Sequence, residues 1–177
     1  DGHGTHVAGI IGAVGDNGVG VSGVCKKVSL VPLRTSIDGG TQIADMISAV
    51  NYAKNLWGTA KQISILNYSS GGSTNSTARM QAIDNFPGLF VNAAGNDNVN
   101  IDVSPTYPAS HNIDNMIVVG SHAETGRKSN FSNYGSQNVD IFAPGSNILS
   151  TVPGHTYQRY NGTSMAAPFV AGVAALM

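Results

Sequence analysis

At 177 residues the chain is long enough for one domain with a proper buried core. Only 11% of its residues are charged and its net charge is −1, so the basic face of a nucleic-acid or anionic-membrane binder is missing. The longest apolar runs, residues 7–14 and 168–177, fall well short of the ~20 residues that cross a bilayer, and a single cysteine, Cys25, excludes an internal disulfide framework and a paired-cysteine metal site.

The chain begins with "DGHGTHVAG", where an apolar run behind two histidines reads as the start of a first helix. Residues 28–33 are predicted as a strand. Residues 41–57 are predicted as a helix, because Ile43, Met46, Ile47, Val50 and Ala53 recur at three- and four-residue spacing on one face. A strand over 63–68, a helix over 74–86, a strand over 89–94 and a strand over 116–121 follow. Strands apolar on both faces and separated by helices imply a parallel sheet covered on both sides, hence an α/β domain. Beyond 121 come the shorter runs "VDIFA", "ILSTV" and "TYQRY", set among Gly, Pro, Ser and Asn, before a closing helix from about residue 164.

In an open parallel sheet, ligands bind beyond the carboxyl ends of the strands, where helix N-termini also point. Three polar segments fall there. "NGTSMAAP" places Ser164 at a helix start among small residues, where oriented N–H groups favour the anion formed when a serine attacks a carbonyl; an ordinary N-cap is the alternative. Pro168 is read as a first-turn proline. "NAAGN" places Asn96 at a strand end, as an oxyanion donor or a plain turn residue. "GHGTH" carries His3 and His6 at i, i+3. Metal-binding zincin helices use i, i+4 with a glutamate between, so His3 is read as a general base and His6 as a packing residue. His111, His122 and His155 lie in polar loops and read as surface residues.

Together, "GHGTHVAG", "NAAGN" and "NGTSMAAPFVAG" resemble the subtilisin-like serine peptidases, the subtilases. The connecting stretches "GVGVSGV", "ILNYSSGG", "FSNYG" and "VDIFAPGSNILST" resemble that family too. The resemblance implies a three-layer fold with a mainly parallel sheet flanked by helices. It also implies a serine endopeptidase working through an acyl-enzyme, with His3 as base, Ser164 as nucleophile and Asn96 as oxyanion donor. Extended peptide substrates would pair with the backbone of Ser69, Ser70 and Gly71 on one side and of Gly39 and Gly40 on the other. Ala94, Gly95 and Thr106 would line the pocket for the residue before the cleaved bond. No cofactor is expected for catalysis. Asp16 and Asn17 resemble part of a structural calcium loop, and a plain Asp-Asn-Gly turn is the other reading. The partners implied are polypeptides, in a secreted, monomeric enzyme.

The family's triad also needs an aspartate that orients the histidine, and in the family it precedes that histidine. The expectation is therefore that residues 1–177 are part of a catalytic domain, cut at both ends, with that aspartate upstream. Asp38 is the only local stand-in considered. Phe169 departs from the histidine usual after that proline. The alternatives are a catalytically inactive, subtilase-shaped binding domain; a sedolisin, against which His3 and Asn96 argue; and an α/β-hydrolase, whose G-x-S-x-G elbow is absent at Ser164.

Overall fold

A computed structural model describes residues 2–37 and 40–177. Asp1, Asp38 and Gly39 lie outside the described residues, and with them the stand-in aspartate and one of the two glycines expected to bind substrate. The elements run α1 (His3–Gly12), β1 (Ser36–Ile37), β2 (Gly40–Thr41), α2 (Ile43–Asn55), β3 (Ile65–Tyr68), α3 (Thr77–Asp84), β4 (Leu89–Ala93), β5 (Met116–His122), β6 (Ile141–Pro144), β7 (Ile148–Val152), β8 (Thr156–Tyr160) and α4 (Thr163–Ala174). Strands β3, β4, β5 and β6 pair in that order, all parallel, with Phe90 opposite Leu66 and Met116.

Strand alternation divides the core between the two faces of this sheet. Phe90, Met116 and Val118 pack with Met46, Val50 and Ala53 of α2 and with Ala82 and Ile83 of α3. Val91, Ala93 and Val119 pack on the other face against Ala166, Ala167 and Ala171 of α4. Small residues on α4 let it lie close to the sheet, which brings its N-terminus to the carboxyl ends of β3 and β4. The three-layer α/β expectation is met.

The sequence reading needs correction at a strand and at a histidine. Residues 28–33 are not a strand: Leu30 and Val31 are exposed, and no backbone hydrogen bond joins the segment to a neighbour among the described residues. An apolar run becomes a strand only when an edge pairs with it. His111 is buried rather than a surface residue, its ring 4.7 Å from that of Tyr107.

The two last β-rich runs form an antiparallel hairpin, β7–β8, separate from the main sheet. The hairpin docks on α1: Ser150 and Thr151 hydroxyls donate to the carbonyls of His6 and Thr5 at 2.8 and 2.9 Å. His6 completes the joint, fully buried, with Nε2 3.0 Å from both Ile148 O and Gln158 O and its ring stacked on Tyr160 at 4.3 Å. It is a packing residue, as expected, and among the described residues no cluster of three metal-ligating side chains exists.

Candidate active site

His3 is the first residue of α1, behind Gly2, whose φ of 83° is a conformation that favours glycine. Asn96 follows β4, and Ser164 is the second residue of α4. These three side chains, together with Arg159, Tyr160, Asn161 and Met165, line one cavity of about 390 Å³. Three segments far apart in sequence thus deliver an imidazole, an amide and a hydroxyl to one place.

The Asn96 amide has a defined orientation. Its Oδ1 accepts from Thr163 N–H at 2.9 Å and from the Thr163 hydroxyl at 3.0 Å, while that hydroxyl itself accepts from Gly95 N–H at 3.1 Å. With Oδ1 held by two donors, Nδ2 faces the cavity. A point one carbon outward from Gly162 lies 3.5 Å from Ser164 N and 3.6 Å from Asn96 Nδ2. Both donors therefore border the same gap, which glycine at 162 leaves open.

Ser164 is tied to Ser69 in both directions. The Ser164 hydroxyl donates to Ser69 O at 3.2 Å, and the Ser69 hydroxyl donates to Ser164 O at 2.9 Å. The second bond follows from a proline placed differently than expected. Because α4 begins at Thr163, Pro168 sits inside the helix, beyond its first turn, and cannot supply the N–H that Ser164 O would accept four residues on. Ser69 supplies a hydroxyl instead, and Asn67 Nδ2 donates to that hydroxyl at 3.0 Å.

The segment that follows Ser69 is anchored to the proposed specificity pocket. Gly72 N–H donates to Tyr107 O at 3.0 Å and Tyr107 N–H returns a bond to Gly72 O at 2.7 Å. A Cβ on Gly71 would stand 3.2 Å from Tyr107 O, a tight approach that glycine relieves. Thr106 Oγ1 donates to Ala94 O at 3.3 Å. Ser69, Gly71, Ala94, Gly95 and Thr106 are thereby joined around one region, and Ser70 lies between the first two. Gly40 lies in β2 opposite Ile37 and does not line the cavity.

Asn133, in the "FSNYG" stretch, was not singled out from sequence. It is fully buried and holds the loop that carries Asn96: Nδ2 donates to Ala94 O at 2.9 Å, and Oδ1 accepts from Asp97 N–H at 2.9 Å and Val99 N–H at 3.2 Å. Gly95 has φ of +104° and its missing side chain leaves room for the Asn133 amide. Thr163 was missed as well. The available signals were slight: a threonine beside the serine, and an asparagine amid loop residues.

Burial, and secondly the facing His6, hold the His3 imidazole below its usual 6.5. At neutral pH the ring is an uncharged base. Asp16 and Asn17 have the geometry of a turn. The Asp16 carboxylate pairs with Lys26 Nζ at 2.8 and 2.9 Å, and Asn17 Oδ1 accepts from Val19 N–H at 3.0 Å.

Known proteins resemble this chain along its whole length. A family model described as the subtilase family matches residues 1–177. Subtilisin DY of Bacillus licheniformis is 39% identical over 183 residues, covering 100% of this chain and 63% of that protein. An extracellular basic protease of Dichelobacter nodosus is 39% identical over 191 residues, covering 99% and 31%. The crystal structure of a cold-adapted subtilisin-like serine proteinase superposes with a TM-score of 0.82 at 38% identity, covering 99% of this chain and 60% of that one. The chain thus spans less than two thirds of each of these proteins.

Proposed function

The chain belongs to the subtilase family, and on that premise we propose that its cavity cleaves peptide bonds by serine endopeptidase chemistry. Ser164 Oγ attacks the carbonyl carbon while His3 accepts its proton. The tetrahedral oxyanion settles in the gap above Gly162, between Asn96 Nδ2–H and Ser164 N–H. His3 then protonates the leaving amine, and water releases the acyl group from Ser164 by the same steps reversed. The positive end of α4 adds to the stabilisation of the oxyanion.

One observation carries the reading: Asn96 has its oxygen tied back by Thr163 and its amide N–H₂ turned to the same gap as the Ser164 N–H. Such preorganised donors matter because they need no rearrangement as charge develops. Removing one costs about 3 kcal/mol of transition-state stabilisation in subtilisin itself. An extended peptide would lie along Ser69, Ser70 and Gly71, with the side chain before the scissile bond between Ala94, Gly95 and Thr106. The extracellular protease among the relatives supports a secreted setting. Among the described residues no helix is long and apolar enough to cross a membrane.

The test is covalent labelling by a serine-directed fluorophosphonate. Labelling is expected at Ser164, lost in Ser164→Ala and reduced at least a hundredfold in His3→Ala, in keeping with the 10²–10⁴-fold share of a general base. A well-folded protein that takes no label at Ser164 rules the peptidase reading out in favour of a binding domain.

A further inference from the structure

Among the described residues, Arg159 is the one permanently charged side chain that lines the cavity of His3, Asn96 and Ser164. Arg159 is exposed, at the end of β8, and its guanidinium is held at the rim: Nη1–H donates to Asn147 O at 2.8 Å, and Asn147 N–H donates to Asn161 Oδ1 at 2.7 Å. Asn161 is itself a lining residue, so the chain of bonds returns to the cavity wall. Among the described residues the one ion pair joins Lys26 to Asp16, and the remaining guanidinium donors face no acidic partner. A guanidinium is weakly hydrated and shaped to take a carboxylate through two parallel N–H bonds.

The position of Arg159 gives this charge a direction. Ser69, Ser70, Gly71, Ala94, Gly95 and Thr106, the backbone and pocket assigned above to the acyl half of the substrate, do not line this cavity. A peptide whose acyl half lies along them and whose carbonyl meets Ser164 leaves by way of the hairpin end, past Arg159. We propose that Arg159 makes the site select polypeptides carrying an aspartate or glutamate just beyond the cleaved bond. The inference rests on the peptidase reading for its orientation, and it adds a substrate class.

The pair would be exposed to solvent, so the preference is modest and sensitive to salt. The experiment measures binding of fluorescent peptides to the Ser164→Ala protein, which holds substrate without cleaving it. The peptides differ only in having Glu, Gln or Lys in the two positions after the susceptible bond. The Glu peptide is expected to bind about two- to five-fold more tightly than the Gln peptide at low salt, the range an exposed ion pair gives. The advantage should vanish in Arg159→Gln, persist in part in Arg159→Lys, and turn to the Lys peptide in Arg159→Glu. Equal affinities in the Arg159 protein, a Glu preference that survives Arg159→Gln, or no peptide binding at all overturns the proposal. Failure of the peptidase reading is seen separately, as absent fluorophosphonate labelling of the protein with Ser164 intact.

Discussion

At the scale of single residues, the proposed chemistry depends on groups that hold the reacting atoms rather than on those atoms alone. Burial and His6 hold His3 below 6.5, so the neutral ring needed as a base persists to lower pH than for a free histidine. The acid limb of labelling against pH is therefore expected to have its midpoint below 6.5; a midpoint at or above 6.5 would show that the burial of His3 is not what sets its proton affinity. Ser69 offers a second test. Its hydroxyl satisfies Ser164 O, left without a helical partner by Pro168, and an orphaned carbonyl there costs ~1–3 kcal/mol. Ser69→Ala should lower stability by about 1 kcal/mol, since the site is only half-buried. In a Pro168→Ala background, where residue 168 regains its N–H, the same change should cost less. Urea midpoints of the four proteins measure the difference, and equal losses in both backgrounds would break the link between the proline and the serine. That His3, Asn96 and Ser164 would meet in one cavity was legible in the sequence, because each stands near an element end inside a distinctive motif. The Ser69 hydroxyl bond was not, because a helical proline shows which carbonyl is freed and nothing about the distant side chain that reaches it.

At the scale of elements, β4, β5 and α2 followed from apolar periodicity, whereas the strand expected over 28–33 did not form. Periodicity records which faces seek burial, and a strand additionally needs a hydrogen-bonded neighbour, which no local pattern encodes. The "ILSTV" and "TYQRY" runs were visible as β segments, yet their pairing with each other and their docking on α1 through His6 came only with the structure. The loop after β4 shows the same limit. Asn133 is a polar residue in a polar stretch, and its partners Ala94, Asp97 and Val99 lie more than thirty residues away. Asn133→Ala removes one donor and leaves two backbone N–H groups without their acceptor, which should cost about 2 kcal/mol or more. The more discriminating readout is local. Amide exchange at Asp97 and Val99 is expected to accelerate well beyond that at Val119 in the sheet, with labelling at Ser164 slowed because Asn96 loses its fixed position. Uniform acceleration through the sheet would mean that Asn133 supports the whole fold rather than this loop.

At the scale of the whole molecule, the displaced ionisable groups push stability in one direction. His3 is lowered by burial and then by His6, and His111 by burial and then by Arg79. For each, the unfolded chain keeps the ordinary value of 6.5 and binds protons that the folded chain resists. Stability therefore rises with pH through that window; it is fully present above about 6.5 and is lost as pH falls toward and past the lower folded values. Asp102 acts in the same sense further down. Burial raises its carboxyl, but the N–H groups of Gln137 and Asn138, the Asn138 side chain and the Ser136 N–H outweigh it and leave the net value below 3.8. Its contribution is complete above about 3.8 and disappears below. Thermal unfolding followed by circular dichroism should accordingly show a melting temperature nearly level above pH 7, a first decline below about 6.5 and a second below about 3.8. His111→Leu tests the assignment, because its imidazole is buried with Nε2 unpartnered and an apolar side chain of similar size removes the protonation without removing a bond at that atom. The upper decline should become shallower in this variant while the lower one stays in place. An unchanged upper decline would transfer the whole of it to His3, the group whose neutral form the proposed chemistry requires, and would make acid loss of fold and acid loss of activity two readings of one titration.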